Sequence, residues 1–132
     1  MLGNSTYFLP EALILDIPEI DEQHQNLFAD LADIKVICVA ENCLPEASAE
    51  VLIQTLLTHF ETEERLAKTA GYDFSLHAIK HETMIQAIRR GITKVKNGEK
   101  DVFSLLKYVE YWFERHIAEE DVPLGRQISK HI

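Results

Sequence analysis

Residues 52–66 read Leu52-Ile53-Gln54-Thr55-Leu56-Leu57-Thr58-His59-Phe60-Glu61-Thr62-Glu63-Glu64-Arg65-Leu66. Leu52, Thr55–Leu56, His59, Glu63 and Leu66 recur at steps of three and four, the period of one buried helix face. His59 and Glu63 lie one helical turn apart, so they project side by side from that face. A carboxylate on a core-facing stripe is costly unless something pairs its charge. The segment therefore reads as a bundle helix that carries a polar pair needing a cationic partner.

Three more segments share the pattern. Residues 21–40 place Leu27, Phe28, Leu31, Ile34 and Ile37–Cys38 on one face and stop before Pro45, which cannot continue a helix. The quoted stretch extends to a second helix over 46–70, capped by Gly71. A third starts near Ser75, an apt N-cap, carries His77, His81, Met84–Ile85, Ile88, Ile92 and Val95, and ends at Asn97-Gly98. A fourth over 101–120 carries Val102, Leu105–Leu106, Val109, Trp112–Phe113 and His116–Ile117. Residues 1–18, with Pro10 and Pro18, read as an irregular arm, and 121–132, broken by Pro123 and Gly125, as a C-terminal stretch. Four amphipathic helices with short connections predict an all-α, antiparallel up-down four-helix bundle, one domain over 1–132 with its bundle at 21–120.

Composition narrows the function. The chain has 132 residues, 46% of them apolar, enough for one core. Asp and Glu exceed Lys and Arg by 22 to 13, and the net charge of -9 argues against nucleic-acid and anionic-membrane partners. No apolar run reaches the roughly 18 residues of a membrane helix, and residues 1–6 lack the basic start and apolar core of a signal peptide. A cytoplasmic location is expected. Cys38 and Cys43 are spaced wider than a CxxC pair and read as reduced, inert thiols.

The polar residues on the apolar stripes hold most of the information. His24, His59 with Glu63, His77 with His81, and His116 all fall on core faces. Asp121, five residues past His116, would face about 140° away in an ideal α-helix and points inward only if the helix changes pitch there. A solvated aspartate is the alternative. Glu61, Glu64, Glu119 and Glu120 read as solvated, and His131 as a surface residue. Seven ligands exceed one structural zinc site and suit two ions sharing carboxylates, with iron first. The Glu-x-x-His pairs of ferritin-like oxidases are absent, as is HExxH, since His81-Glu82-Thr83-Met84-Ile85 lacks its second histidine.

Ile20-Asp21-Glu22-Gln23-His24, His59-Phe60-Glu61-Thr62-Glu63, His77-Ala78-Ile79-Lys80-His81 and His116-Ile117-Ala118-Glu119-Glu120-Asp121 follow in order. In this series, over residues 17–121, the chain resembles the hemerythrin family, bacterial members in particular. The resemblance implies a di-iron site in the bundle core. His77, His81 and His116 would hold one iron, His24 and His59 the other, and Glu63, Asp121 and an oxo or hydroxo group would bridge them. The iron with two histidines keeps one position open, and dioxygen is the ligand implied there, with nitric oxide and small anions such as azide as others. Phe60, Trp112, Phe113 and Ile117 would line a dry pocket; their alternative role is core packing. The family usually has leucine where Phe113 stands, and tryptophan in the arm where this chain has Phe8 and Leu9.

Reversible oxygen binding, for carriage, storage or sensing, is the expected function, without enzymatic turnover. Three alternatives stay open: an input domain of a larger signalling protein, a di-iron enzyme acting on peroxide or nitric oxide, and a zinc-bound structural bundle. The initial Met1 is taken as the natural start, while Ile132 is left open as the natural end.

Overall fold

The computed structural model describes residues 9–41 and 43–129. A 3-10 turn at Glu11–Leu13 precedes helices α1 (Pro18–Glu41), α2 (Glu46–Thr69), α3 (Ser75–Lys96) and α4 (Val102–His116). A π-helical turn, Ile117–Asp121, then leads into α5, Val122–Ser129. There is no strand among the described residues. Each long helix packs on two others, α1 on α2 and α4, α3 on α2 and α4. Short connections join consecutive helices, so neighbours run antiparallel in a four-helix bundle.

The core is continuous along the bundle. Leu27, Leu31, Leu56, Met84, Ile88, Leu106 and Val109 fill it from four helices. Phe113 lies near its middle, edge-on to Phe28 at 6.2 Å and 6.4 Å from Phe60. Gly91 lets α4 approach α3 closely, because a Cβ there would lie 2.6 Å from Leu105 Cδ1. Gly71 and Gly98 both have φ of +75° and end α2 and α3. Beyond them Tyr72 N–H donates to Ala67 O and Glu99 N–H to Lys94 O, the 6→1 closure that suits glycine.

Several boundaries differ from the sequence expectation. Pro18 does not break the chain but opens α1, where its missing N–H costs nothing. The described part of the arm, from residue 9, is held in place: Leu13, Leu15 and Ile17 are buried, and the Asp21 carboxylate accepts from Leu15 N–H and Asp16 N–H at 2.9 and 3.0 Å. Ser75 is not the N-cap of α3; the Asp73 carboxylate accepts from both its N–H and its hydroxyl. The stretch after Asp121 is helical, with Leu124, Gly125 and Ile128 buried, and a Cβ on Gly125 would sit 3.0 Å from Leu15. Pro123 has no N–H to return to the preceding turn, and the helix widens there instead of breaking. Phe8 and His131 lie outside the described residues.

Candidate metal centre

Each bundle helix sends polar side chains to one level of the core. α1 contributes His24, α2 His59 and Glu63, α3 His77 and His81, and α4 His116. Asp121 arrives through the π turn, where Val122 N–H donates to Ile117 O five residues back. That pitch answers the spacing problem, since the extra residue in a π turn brings residue i+5 round to the side of residue i, along with residue i+4. Asp121 Oδ1 therefore lies 3.2 Å from His116 Nε2.

The seven side chains fall into two overlapping groups, each with ligand atoms within 4.8 Å of one another. Glu63, His77, His81, His116 and Asp121 form one; His24, His59, Glu63 and Asp121 form the other. Glu63 and Asp121 are common to both and fully buried. Their oxygens stand 2.9–3.5 Å from imidazole nitrogens, as in His77 Nε2–Asp121 Oδ1 at 2.9 Å and His77 Nε2–Glu63 Oε1 at 3.5 Å. His81 Nε2 and His116 Nε2 are 3.0 Å apart.

These atoms are close without satisfying one another. Both oxygens of Glu63 and of Asp121, both ring nitrogens of His24, and Nε2 of His59 and His77 are buried with no hydrogen-bond partner. Orphaned buried polar atoms are rare and call for an explanation. A metal ion supplies one. Ligands about 2.1 Å from one ion at right angles lie about 3 Å apart, the spacing observed. The donor set of imidazoles with two shared carboxylates fits a pair of cations.

Without metal, protons take their place. Burial disfavours charge on His24 and His77, but the Asp121 and Glu63 carboxylates beside them outweigh it and push both up to about 9. For Glu63, burial is opposed by His59, His24 and His77, which hold its carboxyl well below the usual range. Asp121 is likewise lowered, by His116, His24 and His77, against burial and the neighbouring Glu63 charge. Burial drives His81 down to about 4.

The metal-free protein is therefore expected to be most stable near pH 6.5. His24 and His77 contribute fully below their unfolded value of 6.5 and lose that contribution as pH rises through about 9. The slope is up to about 1.4 kcal/mol per pH unit for each. His81 is opposite in sign, its contribution falling away from 6.5 towards 4, and the lowered carboxylates lose theirs at still lower pH. Thermal unfolding of chelator-treated protein across this range checks it. Metal-loaded protein, whose ligands carry no protons, should lack the alkaline decline.

Aromatic rings enclose one side. Phe60 stacks on His81 at 3.7 Å and sits 5.8 Å from His59; Trp112, half-buried, stacks on His116 at 4.4 Å. Phe113 and Ile117 are fully buried beside them. Five contacts escaped the sequence reading. Phe74 stacks on His77 at 4.8 Å. Gln23 Oε1 lies 2.7 Å from His59 Nδ1, while its amide donates to Thr62 Oγ1 at 3.1 Å. Glu120 is not solvated as expected: its Oε1 lies 2.5 Å from His116 Nδ1 and its Oε2 pairs with Lys80. Both Gln23 and Glu120 stand inside the quoted motifs, where only their neighbours were read as functional.

A family model described as "Hemerythrin HHE cation binding domain" matches residues 15–126. The chain belongs to the hemerythrin family. Among curated proteins, a bacteriohemerythrin from Stenotrophomonas maltophilia (strain R551-3) is 26% identical over 125 residues, 91% of this chain and 80% of the relative. No solved structure gives a significant match. Membership in the hemerythrin family implies a non-haem di-iron, dioxygen-binding type of function. No described helix is long and apolar enough to cross a membrane.

Proposed function

We propose that this hemerythrin domain holds two iron ions and binds dioxygen reversibly. The observation that carries the reading is the pair of overlapping ligand groups sharing two fully buried carboxylates. His77, His81 and His116 would hold one ion and His24 and His59 the other, with Glu63 and Asp121 spanning both. The unequal histidine count leaves the second ion one ligand short. When bound, the iron pair supplies electrons and that open position to the gas.

The chain's own part is to hold and to exclude. Four helices fix the ligands, so no donor needs to move as ligand enters. Phe60, Phe113 and Ile117 keep bulk water from the cage, which favours release of the bound gas unchanged over hydrolytic side reactions. The buried polar atoms without a hydrogen-bond partner all belong to ligand residues, which leaves no described group of that kind to serve a separate substrate. This favours a binder over a turnover enzyme. Carriage, storage and sensing all draw on the same bound and free states.

The test is iron analysis with optical spectroscopy. Two irons per chain, and a visible band that appears when the reduced protein meets air and fades when oxygen is removed, are expected. A reduced, iron-loaded protein whose spectrum ignores air sinks the proposal.

A further inference from the structure

Two imidazoles in the centre are held from behind by chemically different partners. His59 turns Nδ1 to a neutral amide, Gln23, which is itself anchored through Thr62 Oγ1 to Thr58 O at 3.1 Å. His116 turns Nδ1 to a carboxylate, Glu120, at 2.5 Å. Lys80 of α3 holds the other oxygen of Glu120, and the Trp112 ring lies flat on His116, 12° from parallel. The π turn makes this possible, because Glu120 and Asp121 reach opposite edges of the same imidazole, Nδ1 and Nε2.

We propose that Glu120, fixed by Lys80, is a positioning residue that strengthens the three-histidine position, while Gln23 leaves the two-histidine position the weaker. The inference rests on the two-ion reading above. A hydrogen bond from Nδ1–H to a carboxylate fixes the tautomer with the Nε2 lone pair facing the cage and makes that nitrogen a better donor. An amide carbonyl fixes the same tautomer but withdraws less of the proton, so His59 gains less. The chain thus builds inequality into its two positions beyond the difference in histidine count.

The experiment uses the full chain loaded with two equivalents of ferrous iron and challenged anaerobically with a chelator. Wild type should release iron in two phases of equal amplitude. Glu120→Gln should speed the slow phase about 10–100-fold and leave the fast phase within about twofold. Gln23→Glu, whose carboxylate can accept from the Thr62 hydroxyl, should slow the fast phase alone. Equal acceleration of both phases by Glu120→Gln, or none, overturns the proposal. A second readout needs no metal. In the metal-free chain, ring-nitrogen NMR should show His116 protonated on Nδ1 with a far-downfield proton that moves upfield in Glu120→Gln. A wild-type His116 that carries no proton on Nδ1 overturns the inference by itself. If iron fails to bind at all, the proposed function falls, and the NMR result still decides the hold of Glu120 on His116.

Discussion

Glu63→Ala is expected to reduce bound iron from two ions per chain to one or none. Glu63 is fully buried and belongs to both ligand groups. Its Oε2 lies 3.4 Å from His24 Nε2 and 3.1 Å from His59 Nε2; its Oε1 lies 3.5 Å from His77 Nε2 and 3.3 Å from His81 Nε2. No other position in α2 brings a carboxylate to both sides, since the next glutamate, Glu64, points to solvent. The loss should exceed the roughly 10–100-fold that removing an outer hydrogen-bond partner costs, because a direct ligand of two ions disappears. Glu64→Ala is the control and should keep full loading. Metal analysis after gel filtration decides the matter. A Glu63→Ala protein that still carries two irons refutes the shared-carboxylate assignment.

Phe113→Ala should cost about 3–5 kcal/mol, the range for a fully buried aromatic. That is a large part of the 5–15 kcal/mol that holds a typical domain together. Phe113 has no exposed surface and meets Phe28, Phe60 and Trp112 at centroid distances of 6.2, 6.4 and 5.4 Å. Three helices lose a shared contact when it goes. Thermal melting should fall by roughly 10–20 °C. Phe113→Leu, which keeps much of the volume, should cost only about 1 kcal/mol while opening space beside Phe60 and the His81 ring. Equal melting temperatures for Phe113→Ala and wild type would show that this ring does not close the core.

The four long helices were legible because each repeats its apolar residues at the helical period over several turns. The same logic brought out His59 with Glu63 and His77 with His81, pairs set one turn apart on buried faces. Asp121 was harder. An α-helical wheel turns it away from His116, and what brings it back is a local pitch that single-residue patterns do not encode. Pro123 marked the place without specifying whether the helix would break or widen. Ser75 misled because its hydroxyl donates to Asp73, two residues earlier, instead of accepting from the first turn of α3.

The outer partners were not legible at all. Gln23 meets His59 across 36 positions of sequence, and Lys80 reaches Glu120 from another helix. Periodicity assigns a residue to a face but says nothing of how far one helix slides along its neighbour. That axial register comes from packing, here from Gly91 against Leu105 and from the Phe28, Phe60 and Phe113 rings. By itself, the sequence determined four helices, their inward faces and six polar residues that had to share one core, with Asp121 left open as a seventh. Only the tertiary structure decided how those seven divide into two groups, that Asp121 joins both, and that an amide backs one histidine and a carboxylate another. The reason is that helical period is a local property, whereas register and pitch are settled by contacts between chain segments far apart in sequence.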